Sequence, residues 1–176
     1  MHPIFADVRK EIELAGNESR RLQEAIGLYG KSAVLRAGAG RYLAIGGIAS
    51  GIEKVYSGIE RAFRYIASDL DGYLQEGGEW HKRLLMRMQT PVEGRRPRVI
   101  GEKTFRLLDQ LRAFRHRERN LYASDLDIER MLEIASGIPA ALESVRRDIA
   151  SFEKALSPQH EPTAGVRSVR TKSGAR

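Results

Sequence analysis

A short run of basic and polar side chains near residues 112–122 has the residue types and spacing needed for chemistry on a phosphate. In a helix, successive residues are about 100° apart, so most of these side chains would share an arc roughly 140° wide. The run contains Arg112, Arg115, His116, Arg119, Asn120 and Tyr122, the last of which closes the arc near Arg115. Three guanidinium groups on one arc repel one another unless an anion, an acidic partner or water screens them. The pattern favours a phosphate-handling surface, with a solvated basic helix face as the alternative.

The elements that must position this run are predicted to be helices. Apolar residues recur at helical spacing and predict an all-α, up-and-down bundle of about five helices. The predicted helices cover residues 5–28, 43–70, 80–88, 102–122 and 127–156, and the second is expected to be central. Gly30 is expected to cap the first helix, and Pro139 to kink or split the fifth. No stretch alternates with a period of two, so no sheet is expected.

The fourth predicted helix carries its apolar residues beside the basic arc. Leu107, Leu111, Phe114 and Leu121 fall on one stripe at helical spacing. This stripe is expected to face the core and so to hold the basic arc at its edge.

The chain is expected to form one helical domain over residues 1–156, followed by a disordered basic tail over residues 157–176. A chain of 176 residues with 41% apolar content is long enough to bury one good core. The final segment loses apolar periodicity and contains four Lys or Arg against one Glu. Such a tail could add nonspecific affinity for phosphate backbones, although solubility is the simpler explanation.

The positive charge of the chain is concentrated around the candidate site. The net charge is +7, and residues 81–130 hold 13 Lys or Arg against 7 Asp or Glu, whereas residues 1–80 hold 10 against 11. A concentrated positive field attracts polyanions, of which nucleic acid is the commonest. Arg95, Arg96 and Arg98 lie on a loop with Gly and Pro, where flexible phosphate contacts are expected rather than packing. A face kept positive for solubility is the alternative.

Composition argues against several other classes of protein. The chain contains no Cys and four His, none of them paired at the spacing of a helical metal site, so neither a metal nor another cofactor is expected. The longest apolar tract, residues 42–52, is interrupted by Gly46, Gly47 and Gly51 and is well short of the roughly 20 residues that span a bilayer. The N-terminal residues lack the apolar stretch of a secretory signal. A cytoplasmic protein without membrane insertion is therefore expected.

The segment FRHRERNLYASDLDIERM, residues 114–131, resembles the signature of the HEPN superfamily. It is most similar to HepT-like ribonuclease toxins of bacterial toxin–antitoxin pairs. Their motif is an Arg followed by a polar residue, then after three more positions a His, often with a Tyr two residues later. Arg115, His116 and Tyr122 match this motif, and Asn120 stands where the His is expected. The segments YSGIERAFRYIA (56–67) and WHKRLL (80–85) are also similar to one branch of the family, so the resemblance covers about residues 40–155.

This resemblance implies a metal-free ribonuclease that works as a homodimer. In such proteins the motif helices of two protomers meet in a basic cleft, where a ribose 2′-hydroxyl attacks the adjacent phosphate. Arg115 would then stabilise the charge of the transition state, and a His would move protons. A nucleotidyltransferase antitoxin would regulate the toxin by adenylylating Tyr122, which places negative charge against the cationic cleft.

The residue at position 120 leaves two functions open. An amide cannot act as a general acid or base near neutral pH, so Asn120 cannot replace the expected His in that role. In an active enzyme, His116 would move protons while Asn120 orients the phosphate or ribose. In the alternative, the protein is a catalytically inactive HEPN module that binds RNA or a partner protein. A purely structural helical adaptor is a third possibility, for which charge reversal at Arg112, Arg115 or Arg119 would not change nucleic-acid binding.

Three residues outside the motif also have two interpretations each. Glu60 could pair with a site arginine, although a surface carboxylate on a helix is the commoner case. Trp80 could stack against a base or anchor the start of a short helix. His81 could be a second proton carrier or an ordinary exposed histidine.

Overall fold

Five α-helices and one short 3₁₀ turn make up the part of the chain that the structure describes. The computed structural model describes residues 3–72, 77–118 and 127–156, with the backbone alone at 116–118. The helices are α1 (Ile4–Lys31), α2 (Gly38–Asp71), α3 (Trp80–Gln89), α4 (Glu102–Glu118) and α5 (Ile128–Leu156), and the 3₁₀ turn is Val34–Arg36. Within these ranges there is no strand, only an isolated bridge between Val92 and Arg96. The predicted all-α bundle is confirmed. The predicted tail lies outside the described residues.

Helix α2 is the centre of the bundle, as the sequence predicted, because it contacts each of the other four helices. Its fully buried residues recur at three- and four-residue intervals: Ile48, Ile52, Val55, Ile59, Phe63 and Ile66. Two glycines let α1 approach closely. A Cβ on Gly58 would lie 3.0 Å from the Cβ of Ala15, and one on Gly51 would lie 2.9 Å from Cδ1 of Leu22. Gly72 then ends α2 in the left-handed conformation (φ 63°).

Helix α1 runs further than the sequence predicted. Gly30 does not end it, and the helix continues to Lys31, where the N–H of Ser32 donates to the carbonyl of Leu28 at 3.0 Å. Burial of Tyr29 in the core explains the extra turn, since packing outweighs the weak helix propensity of one glycine.

Helix α5 passes through Pro139 without being split. A proline has no N–H to donate to the carbonyl four residues earlier, which here belongs to Ala135. The side chain of Gln23, on α1, donates to that carbonyl at 2.8 Å. A neighbouring helix thus supplies the missing donor, which explains how α5 continues through Pro139.

Helix α4 faces the core with a slightly different stripe from the predicted one. Leu111 and Phe114 are buried as predicted, but Leu108 is the fully buried residue of the preceding turn, while Leu107 is half-buried. Leu121 lies outside the described residues. Buried Thr104 begins the stripe, and its hydroxyl donates to Asp148 on α5 at 2.6 Å. With this stripe in the core, Arg115 faces α2 and α3.

None of the helices in the described ranges is long and apolar enough to cross a lipid bilayer.

Candidate active site

Arg115 lies where α2, α3 and α4 meet. Its Nη1 group donates to Oε2 of Glu60 and lies 3.0 Å from Nδ1 of His81, while its Nε donates to Oε1 of Glu53 at 3.3 Å. The side chain of Arg115 is 14% exposed. Among the described residues no hydrogen-bond partner contacts its Nη2 group. Arg115, the first residue of the motif, is therefore held by Glu53 and Glu60 through Nε and Nη1, and its Nη2 group can donate to a further acceptor.

Glu60 is a carboxylate buried inside the bundle. Its side chain is 5% exposed, and Oε1 lies 2.5 Å from Nδ1 of His81 while Oε2 accepts from Arg115. Burial raises the pKa of Glu60 to about 7, against the opposing charge of Arg115 and a hydrogen bond from Tyr56. Of the two sequence interpretations, pairing with a site arginine is confirmed. We call Glu53, Tyr56, Glu60, His81 and Arg115 the Glu60 cluster.

The hydroxyl of Tyr56 is the innermost member of the Glu60 cluster. Tyr56 is 1% exposed and hydrogen-bonds to Glu60. Burial, together with the negative charge of Glu60, raises the pKa of Tyr56 above its usual range. The hydroxyl therefore stays protonated and acts as a donor to the carboxylate.

His81, on α3, contacts the carboxyl group of Glu60 and the ring of Trp80. Its ring lies 3.7 Å from the ring of Trp80, centroid to centroid, and the guanidinium of Arg64 covers Trp80 at 5.4 Å. His81 and Glu60 form a hydrogen bond whether the shared proton is on the imidazole or on the carboxyl group. An N–H at Nδ1 donates to the carboxylate, or a protonated carboxyl donates to Nδ1. Trp80 is half-buried against the core, in keeping with a packing anchor.

Several residues of the predicted motif cannot be placed. Arg119, Asn120 and Tyr122 lie outside the described residues, and His116 is described only as part of the backbone of α4. Arg112 is described, is 21% exposed, and donates from Nε to Asp109, one turn earlier, at 2.7 Å. The structure thus brings Arg115 together with Glu60 and His81, and it leaves the remaining motif positions as predictions.

Arg96 does not have the exposed position that the sequence suggested for an RNA contact. Its side chain is 0% exposed and all five of its N–H groups are engaged. Nε and Nη2 donate to the two carboxylate oxygens of Asp71, at 2.7 Å each. The other three bonds go to the carbonyls of Arg87, Thr90 and Pro97. The sequence prediction for Arg96 was wrong because the five N–H groups of a guanidinium can all be satisfied by one carboxylate and nearby carbonyls. Such an arginine is stable in the interior and holds the loop together.

Arg95 and Arg98, on the same loop, are exposed. Arg95 donates to the main-chain carbonyl of Asp71. Burial alone would raise the pKa of Asp71, but hydrogen bonds from Arg96 and Arg87 outweigh it and hold the pKa below its usual range. The loop between α3 and α4 is therefore tied to the end of α2, which sets the spacing of the two helices that carry His81 and Arg115.

The described residues contain no group of three or more His, Asp or Glu that could hold a metal ion. The Glu60 cluster instead combines two carboxylates, one imidazole, one phenol and one guanidinium. Such a set can bind an anion through the guanidinium and move a proton through the imidazole.

Sequence reasoning overlooked Glu53 and Tyr56, although a signal for them was present. Glu53, Tyr56 and Glu60 recur at three- and four-residue intervals, so they share one face of α2. That helix is otherwise rich in buried Ile and Val. Polar residues on a mostly apolar central helix must find partners on other helices of the bundle. This spacing was therefore the available signal for a buried polar cluster.

The raised pKa of Glu60 predicts a specific pH dependence of stability. In the folded protein Glu60 keeps its proton up to about pH 7, whereas the unfolded chain releases it near pH 4.5. The free energy of unfolding therefore loses the Glu60 contribution, on the order of 2–3 kcal/mol, as pH rises through this window. Urea unfolding should show that the free energy of unfolding of wild type, minus that of Glu60→Gln, falls from pH 5 to pH 7.5.

Glu102→Gln is the matched control, because Glu102 is an exposed carboxylate paired with Arg106 on the same helix. Its difference from wild type should stay nearly constant across the same pH range. A pH-independent difference for Glu60→Gln would show that the pKa of Glu60 is not raised.

Comparison with known proteins gives a family match and no individual relatives. The sequence model of a family described as HepT-like protein matches residues 47–156. The match covers well over half of the 176 residues and includes every member of the Glu60 cluster. No curated protein and no solved structure matches the chain.

Proposed function

The chain belongs to the HepT-like protein family of the HEPN superfamily, and we propose that it is a toxin-type endoribonuclease that cuts RNA without a metal ion. The observation that carries the proposal is the position of Arg115. The motif arginine is held by Glu53 and Glu60 at the meeting point of three helices, with its Nη2 edge directed to none of the described acceptors. A preorganised guanidinium of this kind suits the extra negative charge of a phosphorane-like transition state.

The proposed reaction is an internal transfer at one phosphate. The ribose 2′-oxygen attacks phosphorus as a base removes its proton, and the bond from phosphorus to the 5′-oxygen breaks as an acid protonates that oxygen. The products are a 2′,3′-cyclic phosphate and a 5′-hydroxyl. In the proposal His116 moves a proton, Asn120 orients the phosphate or the ribose, and Arg115 stabilises the charge. The step balances with proton carriers and a cation alone, so it requires no metal or other cofactor.

The proposed RNA-binding surface surrounds this site. Arg112 on α4 and exposed Arg95 and Arg98 on the loop before it would contact the phosphate backbone, as would Arg119, which lies outside the described residues. Arg96 is left out because its N–H groups are engaged in the interior. We expect a homodimer in which two motif helices form one basic cleft.

Regulation by a nucleotidyltransferase antitoxin is part of the same proposal. Adenylylation of Tyr122 would place a bulky phosphate-bearing group beside the arginines of the motif helix. The added negative charge would occupy the cations that otherwise bind RNA, so cleavage would stop.

A catalytically inactive module that binds RNA or a partner protein is the second candidate. Two observations favour it: Asn120 stands where the His is expected, and Glu53 and Glu60 already accept hydrogen bonds from Arg115. An arginine that is paired with acidic groups attracts a phosphate less strongly than an isolated one.

Cleavage in EDTA separates the two candidates. Purified protein is expected to cut a mixture of transfer RNA and messenger RNA in EDTA and to leave 2′,3′-cyclic phosphate ends. His116→Ala should lose cleavage, because a proposed proton carrier is removed, whereas Tyr122→Phe should keep it, because the tyrosine serves as a modification site. A wild-type protein that binds RNA but cuts nothing would overturn the enzyme proposal and support the inactive module.

A further inference from the structure

We infer that His81, oriented by Glu60, is a second proton carrier in the cleavage reaction and acts on the phosphate that Arg115 binds. The inference rests on the proposed function of this site. It adds a catalytic residue from α3, outside the motif helix, and assigns Glu60 as the residue that positions it.

The chemistry requires two proton transfers, one from the 2′-hydroxyl and one to the 5′-oxygen. Asn120 can perform neither near neutral pH. His116 can perform one of them, but the attacking 2′-oxygen and the leaving 5′-oxygen lie on opposite sides of phosphorus, so a single imidazole would have to reach both. A second imidazole in the same site removes that requirement.

The geometry puts His81 beside the anion-binding group. Nδ1 of His81 lies 3.0 Å from Nη1 of Arg115, so a phosphate bound by this guanidinium would lie close to the imidazole ring. The side chain of His81 is 25% exposed, compared with 5% for Glu60. The ring therefore lies between a buried carboxylate and the surface, where a substrate would approach.

Glu60 gives the imidazole a defined orientation. A carboxylate oxygen 2.5 Å from Nδ1 holds that ring nitrogen in place, and Nε2 is the ring nitrogen that is not bonded to Glu60. The same carboxylate stabilises the positive charge that the ring gains when Nε2 accepts a proton. Contact with the Trp80 ring, tilted by 33°, restricts its rotation further.

Charged and polar groups on two helices surround the pair of His81 and Glu60. On α2, Tyr56 donates to Glu60 and Arg64 faces it, and on α4, Arg112 and Arg115 contribute positive charge. The arginines oppose a further positive charge, and Glu60 offsets them. Because burial raises the pKa of Glu60 to about 7, Glu60 itself can take up or release a proton near neutral pH.

A purely structural role for His81 would rest on the same contacts, so the test must separate the two. His81→Asn keeps an amide donor near the position of Nδ1, which preserves the contact with Glu60, but it cannot carry a proton. His81→Ala opens a space at a partly exposed site that added imidazole can enter. Lys82→Gln removes a charge from an exposed neighbouring position on α3 and serves as the matched control.

Single-turnover cleavage of RNA in EDTA, measured from pH 5 to pH 9, is the experiment. His81→Asn is expected to lower the rate by on the order of 10²–10³, to leave the Kd for RNA unchanged, and to remove one limb of the pH profile. Imidazole should restore the rate of His81→Ala, and Lys82→Gln should behave like wild type.

Wild-type rates in His81→Asn would overturn the inference and leave the proposed function standing. A slower His81→Asn whose pH profile keeps both limbs, with no rescue of His81→Ala by imidazole, would also overturn it and assign His81 a structural role. A wild-type protein that cuts nothing would overturn the proposed function, and the inference with it.

Discussion

Replacing Arg115 with alanine is expected to lower the rate of RNA cleavage by on the order of 10²–10³. The loss follows from the removal of the cation that stabilises the transition state, because Arg115 is the motif residue that the Glu60 cluster holds in place. Arg115→Lys should recover only part of the rate. An ammonium group keeps the charge but cannot contact Glu53, Glu60 and a phosphate with the fixed geometry of a guanidinium.

The fold must be checked in the same experiment, because Arg115→Ala leaves Glu60 buried without its cation. The double variant Arg115→Ala with Glu60→Gln keeps the interior neutral and should regain stability without regaining cleavage. Arg106→Ala is the matched control, since Arg106 lies on the same helix and is 74% exposed. Wild-type cleavage by a folded Arg115→Ala would exclude this arginine from the transition state.

Replacing Asp71 with asparagine is expected to lower the free energy of unfolding by about 3–5 kcal/mol. Asp71 and Arg96 both have fully buried side chains, and Arg87 also donates to Asp71 at 2.5 Å. Asparagine preserves the shape of the side chain but removes its charge, so Arg96 would remain buried without an opposing charge. Urea unfolding at pH 7, followed by circular dichroism, measures the loss.

The same substitution should matter less in acid. The pKa of Asp71 is lower in the folded protein than in the unfolded chain, so its contribution is complete above the unfolded pKa and disappears as pH falls through the folded one. The stabilities of wild type and Asp71→Asn should therefore converge at low pH. Glu102→Gln, which breaks an exposed pair, should cost no more than about 0.5 kcal/mol. A loss of less than about 1 kcal/mol in Asp71→Asn would show that Arg96 finds other partners.

The loss at Asp71 also has a consequence for the candidate site. Arg96 ties the loop between α3 and α4 to the end of α2 through Asp71. The loop sets the distance between the helix that carries His81 and the helix that carries Arg115. A folded Asp71→Asn is therefore expected to cut RNA more slowly, although no hydrogen bond or ion pair joins Asp71 to the described members of the Glu60 cluster.

The sequence by itself determined the number and type of the helices in the described part of the chain and the position of Arg115 on the fourth of them. Helical periodicity is a local property, so the spacing of Ile48, Ile52, Val55 and Ile59 was sufficient to identify the central helix. The motif around Arg115 could be recognised for a related reason, because a family signature depends on residue type and spacing along one helix. The burial of a single residue is less predictable: the sequence analysis placed Leu107 in the core, whereas the neighbouring Leu108 is the buried one.

Only the tertiary structure decided which polar residues work together. Glu60 and Arg115 are 55 positions apart in the chain, and His81 lies between them on a third helix. Nothing in their spacing indicates that they meet, because the rotation of each helix about its axis is set by packing against the others. Arg96 is a second example. Its place on a loop with Gly and Pro predicted an exposed side chain, but the side chain is buried because it pairs with Asp71 on α2, 25 positions earlier in the chain. A charge is stable in the interior only when its partner is in place, and the partner is supplied by the fold.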